Sequence, residues 1–68
     1  MNRLAVKYRP EASAAQIAAL EAKHGIAAVR RIPALRLWAY EQRPGLLAAL
    51  AAEPIVEYVE EEGELQVR

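Results

Sequence analysis

Glu60 and Glu62 stand two residues apart near the end of the chain. In an extended segment that spacing turns both carboxylates to the same side, while Glu61 faces away. Carboxylates placed in this way can accept hydrogen bonds from backbone N–H groups, and helix N-termini present such groups with a dipole that attracts anions. They belong to a run of acids, Glu57, Glu60, Glu61, Glu62 and Glu64. The plainer reading of that run is a solvated, solubilising edge. Trp38 and Tyr40 form a second pair, again two apart. They serve either as ordinary packing or, on an uncovered sheet face, as contact anchors of the kind enriched at interfaces. A one-residue slip in register exchanges these alternatives. The reading adopted is that Trp38 and Tyr40 are sheet-face contacts.

Other chemistry is closed off by composition. The sequence contains no cysteine and a single histidine, His24. Thiolate nucleophiles, disulfides and multi-histidine metal sites are therefore excluded, and no metal or cofactor is expected. His24 falls near a helix end, where it is read as a surface residue interacting with the helix dipole. Nine basic and nine acidic residues cancel. The basic surplus that phosphate binding requires is missing, so nucleic acid is not an expected partner. No apolar run is long enough to span a membrane. Met1-Asn2-Arg3 leads straight into a strand-like pattern, so no signal peptide is visible. With 68 residues the chain is one small domain. Its stability is a few kcal/mol, at ~0.05–0.15 kcal/mol per residue. A deep cleft enclosed on all sides does not fit in it, which favours a binding module over an enzyme.

The elements that must position these residues are legible in the pattern. Leu4, Val6 and Tyr8 alternate with Ala5, Lys7 and Arg9, giving a half-buried strand that Pro10 ends. Ser13 is an N-cap with Gln16 three residues later, as in a capping box. A helix follows over Ala14 to His24, and Gly25 is placed to end it in the left-handed conformation. Ile17 and Leu20 anchor its apolar stripe, with Glu21 at the margin reaching water. The alanines of both helices are read as tight packing on a sheet together with high helix propensity. Residues 26–32 and 35–40 read as two strands around a break at Pro33-Ala34. Pro44-Gly45 opens a second helix that runs to about Ala52 and is stopped by Pro54. Residues 55–60 form the last strand. The order strand, helix, strand, strand, helix, strand predicts an α+β, ferredoxin-like fold. It has an antiparallel four-stranded sheet with two helices on one face. The other face is left without a helix and is a natural partner site.

Three segments resemble the propeptide inhibitors of subtilisin-type serine proteases. Leu4-Ala5-Val6-Lys7-Tyr8-Arg9-Pro10 is similar to that family's opening strand, and Gly25 to Ala39 to its central hairpin. Glu53-Pro54-Ile55-Val56-Glu57-Tyr58-Val59-Glu60-Glu61-Glu62 resembles its closing signature of acid, Pro, Val, then Tyr-Val-Glu and further acids. Only the last of these is specific. The resemblance implies a propeptide-like inhibitor domain over 1–62 and an extended inhibitory tail over 63–68. It implies a subtilisin-type serine protease as partner, with an intramolecular-chaperone role. The open sheet face would pack on two protease helices, which Glu60 and Glu62 would cap. Leu65, Gln66, Val67 and Arg68 would contact the protease active site, Leu65 in the pocket four residues before the cleavage point and Arg68 in the primary specificity pocket. Arg68 departs from the apolar or aromatic residue that many members present there, and Pro44-Gly45 departs from the usual polar cap of the second helix. The resemblance implies an extracellular setting for a segment cut from a secreted precursor and a cytoplasmic one for a stand-alone inhibitor. The alternatives are a regulatory or oligomerising module of the same fold, and a small acylphosphatase-like enzyme. The enzyme is disfavoured because Arg9-Pro10-Glu11-Ala12 offers no phosphate-cradling glycine.

Overall fold

The alternation at the N-terminus builds the central strand of the sheet. In the computed structural model, which describes residues 3–61, β1 spans Arg3–Tyr8 and buries Leu4, Val6 and Tyr8 completely. It is followed by α1 (Ala14–His24), β2 (Arg30–Ile32), a 3-10 turn (Pro33–Leu35), β3 (Leu37–Glu41), α2 (Leu46–Ala51) and β4 (Val56–Glu61). The sheet order is β2-β3-β1-β4, and all three pairings are antiparallel. Two split βαβ units interleave, which is the ferredoxin-like arrangement expected.

α1 starts and stops where its caps dictate. The Ser13 hydroxyl accepts from the Gln16 N–H at 3.1 Å, and the Gln16 side chain accepts from the Ser13 N–H at 2.9 Å. Gly25 ends the helix at φ 64°, a region open to glycine at little cost. The inward stripe of α1 is Ile17, Leu20, Glu21 and His24, at the i, i+3, i+4, i+7 spacing of one helix face. Ala15, Ala18, Ala19 and Ala22 are exposed, as are Ala48, Ala51 and Ala52 of and after α2. Most of these alanines therefore support the helices by propensity and do not pack on the sheet, contrary to expectation.

One core joins both helices to one face of the sheet. Ile17 and Leu20 from α1 and Leu46 and Leu50 from α2 pack with Leu4, Val6, Tyr8, Tyr40 and Val56. Through that core runs a polar chain. The Tyr40 hydroxyl donates to Glu21 Oε2 at 2.7 Å, and the Tyr8 and Tyr40 hydroxyls lie 2.8 Å apart. Since Tyr40 has one proton and gives it to the carboxylate, the Tyr8 hydroxyl donates to the Tyr40 oxygen. Burial pushes the Tyr8 hydroxyl up to about 12; the Tyr40 bond pulls the other way, and the Glu21 and Glu53 carboxylates add to the rise. Burial, then the bonds with Tyr8 and Glu21, hold the Tyr40 hydroxyl neutral far above its ordinary value.

Strand and helix ends shift by a residue or so, with β4 over Val56–Glu61 in place of 55–60, and three boundaries differ by more or for a visible local reason. β2 is shorter than 26–32, because Ile26 and Ala28 turn inward against the core before pairing begins. The β2–β3 connection takes up Leu35 in the 3-10 turn and places Arg36 at φ 55°. α2 begins at Leu46, and Gly45 at φ 81° caps it with no side-chain hydrogen bond, so Pro44 precedes the helix and is not part of its first turn.

Tyr40→Phe removes the middle of the hydroxyl chain and strands the Tyr8 donor. It should cost ~1–3 kcal/mol in urea denaturation, and adding Tyr8→Phe to it should cost little more or recover part of the loss. The fold favours the neutral phenols. The contribution of Tyr8 is thus complete below its ordinary value of 10.0 and is lost as pH rises toward about 12. A denaturation series across that window should show the fall in wild type and a shallower one in Tyr8→Phe.

Candidate functional site

Strand parity decides what the helix-free face displays. Cross-strand partners share a face, and Leu4, Val6 and Tyr8 point to the helices. Ala5 and Lys7, together with Arg3, therefore point away. Pairing extends this outward in rows. The middle row crosses the sheet as Arg30, Ala39, Ala5 and Glu60. Beside it lies the row Ile32, Leu37, Lys7 and Tyr58. At the other end Glu41 pairs with Arg3. Alanines make the centre of the middle row, with charge at its two margins, while in the next row Lys7 stands on the central strand between Leu37 and Tyr58. Arg30, Ile32, Leu37, Ala39 and Ala5 line a shallow depression of about 100 Å³ on the β2 side. Across the sheet, Tyr58 projects from β4 and is 43% exposed.

Trp38 and Tyr40 are not on this face. Trp38 pairs with Val6 and Tyr40 with Leu4, so both point to the helices. Tyr40 is fully buried, and Trp38 packs against the core with its ring edge-on to Tyr8 at 5.3 Å. Their assignment as sheet-face contacts is therefore corrected to packing: alternation alone fixes which residues share a side but not which side the helices take. Tyr58 is the aromatic residue of the open face, and its parity with Glu60 was the signal that could have found it.

Glu60 lies on the open face, opposite Ala5, and is exposed. Glu61 turns to the other side, where its carboxylate accepts from the Gln42 amide at 2.6 Å. The opposition of Glu60 and Glu61 follows the expected alternation. Glu62 and the tail residues Leu65, Gln66, Val67 and Arg68 lie outside the described residues, as does the boundary between 1–62 and 63–68. β4 is an edge strand, and it is irregular: Tyr58 opposes Lys7 and Val56 opposes Tyr8, which leaves Glu57 over as a bulge.

The acid and proline of the closing segment have a structural task. Glu53 Oε2 receives His24 Nε2 at 2.7 Å and Lys23 Nζ at 2.9 Å. The His24 and then the Lys23 hydrogen bond hold the Glu53 carboxyl below the usual carboxylate range. Arg9 Nε donates to the Pro54 carbonyl at 3.0 Å, and the Arg9 N–H to the Ile55 carbonyl at 2.9 Å. Arg43 donates to the His24 and Gly25 carbonyls at the end of α1. The C-terminus of α1 is thereby tied to both ends of α2. His24, expected as a surface residue, has a side chain only 14% exposed and is part of this clasp.

Among the described residues no helix is long and apolar enough to cross a membrane, and no group of three or more His, Cys, Asp or Glu could hold a metal ion. What the fold and the face define is a small α+β domain of ferredoxin-like build with one uncovered, apolar-centred sheet face. Set against protein-family models, curated proteins and solved structures, the chain has no match.

Because Glu53 is held in its charged form, its contribution is present above the ordinary value of 4.5 and is lost as pH falls through the lower folded value. Glu53→Gln should lower the denaturation midpoint at pH 7. The gap between wild type and variant should close as pH drops below about 4.5.

Proposed function

We propose that this chain is a subtilisin-propeptide-like inhibitor and folding module, a binding protein without catalysis of its own. The observation that carries the reading is the join between the open face and β4. Glu60 stands on the uncovered side at the margin of the sheet, on the edge strand from which the chain runs on into its last residues. The closing segment Glu53 to Glu62 supports the same reading through its likeness to the family's signature.

The physical logic is that of a held peptide. The open face packs on the protease surface, and the tail enters the substrate groove as an added strand. Leu65 to Arg68 fill the groove and keep substrate out of it. Affinity comes from holding that peptide in its bound direction before contact, so its ordering is not charged against binding. Glu60, and Glu62 two residues on, offer carboxylates to helix N-termini of the enzyme. Arg68 directs the module to a protease whose primary pocket accepts a long cationic side chain. A partner that binds only the folded module also stabilises it by mass action.

The test is inhibition of a subtilisin-type protease, read with a chromogenic peptide substrate while the full chain is titrated in. Competitive inhibition at micromolar chain or below is expected. Removing residues 65–68 should weaken it by about a hundredfold or more, and Glu60→Ala by about tenfold. Absence of inhibition by the intact, folded chain, or inhibition indifferent to the truncation, defeats the reading.

A further inference from the structure

The open face complements itself. In the middle row, Arg30 at one margin and Glu60 at the other flank Ala39 and Ala5. A two-fold axis parallel to the strands, set between two such faces, lays β2 of one copy over β4 of the other, and β3 over β1. Arg30 then meets the second copy's Glu60 at both margins, while Ala5 and Ala39, the latter only 6% exposed between its neighbours, keep the centre low so that the flanking side chains can interdigitate. The same operation sets Ile32 against Tyr58, Leu37 against Lys7, and Glu41 against Arg3. No row brings like charges together. The depression beside Ile32 and Leu37 lies where the exposed Tyr58 ring of the second copy arrives. The Lys7 stem can lie on Leu37 with its ammonium group at the rim. Packed sheets keep their strands within about 30° of each other, so the rows stay in step near the axis.

We propose that a second copy of this chain occupies the open face, as a two-fold, face-to-face dimer. Its strength is set by area. Four strands at about 4.8 Å spacing and about 3.3 Å per residue give a face on the order of 300 Å² per copy. That is well below the roughly 800 Å² per partner of a stable complex. The dimer is therefore weak and reversible, with a dissociation constant of about 0.1–1 mM, and it yields the face to any partner that covers more.

The experiment is sedimentation equilibrium of the full chain alone, from about 10 µM to about 2 mM, with circular dichroism confirming the fold of every variant. Wild type should fit a monomer–dimer equilibrium that weakens with salt. Arg30→Glu sets two carboxylates face to face, and Glu60→Lys two cations; each should weaken association by about tenfold. The double variant R30E/E60K exchanges the signs and should return to within about threefold of wild type. That rescue cannot come from within one chain, because the two positions are three strand spacings, about 14 Å, apart. A chain that stays monomeric throughout, a dimer indifferent to either reversal, or a double variant no tighter than the singles overturns the proposal. Edge-to-edge pairing of β2 on β4 is head-to-tail and does not close, so it would give open-ended association in place of a monomer–dimer fit, and that result also overturns the proposal. No protease is present, so the outcome is independent of inhibition.

Discussion

The hydrogen-bonded chain from Tyr8 through Tyr40 to Glu21 links the central strand, its neighbour β3 and helix α1 within the apolar core. It is satisfied in one register only. Were β3 to slip by a single residue against β1, the Tyr40 hydroxyl would turn to the other side of the sheet, leaving Tyr8 and Glu21 without a partner. An unpaired polar group in that place is costly, and a domain this small has little stability to spare. Parity settled in this way on one side settles it on the other. Arg30, Ala39, Ala5 and Glu60 stand in a single row on the uncovered face because Leu4, Val6, Tyr8 and Tyr40 are turned inward.

The covered side and the open side divide the work of a short chain. Two helices suffice to shield one surface of four strands, and most of the large apolar side chains go there. The remaining surface keeps alanines at its middle, sets Lys7 beside Leu37 on the inner strands and puts its other charges toward the borders, enough to stay in water. The free edges are guarded in a related way. β2 is three residues long and carries Arg30 and Arg31, while β4 carries Glu57, Glu60 and Glu61 and a bulge, features that discourage unplanned strand pairing.

Local chemistry was the readable part of this fold. Ser13 with Gln16, and Gly25, mark both ends of α1 because their physics is contained within a few residues. Strand alternation and the order of elements led to the sheet, since a split βαβ pattern has few ways to close. What depended on distant partners was hidden. Glu21 and His24 look like exposed polar residues of a helix until Tyr40 and Glu53, far along the sequence, arrive beside them. Trp38 and Tyr40 were separated correctly from Leu37 and Ala39, yet the side they face is decided by the helices and not by the strand. Of the candidate site, Glu60 was legible through alternation, whereas Tyr58 and Arg30 gained meaning only from the register that aligns β2, β3, β1 and β4.

The strand β4 is unevenly anchored. Val56 at its start is buried and Ile55 just before it packs on the core, but from Glu57 onward only Val59 is half covered, and the far end is held by its ladder to Ala5 and Leu4 and by the exposed bond between Glu61 and Gln42. Loosening this strand therefore begins at Glu61 and travels backward, exposing little oil as it goes, until it reaches the firm seat at Val56. The two ends of the last strand thus differ in what an opening would uncover: apolar core at Val56, and little beyond a backbone ladder and one polar contact at Glu61.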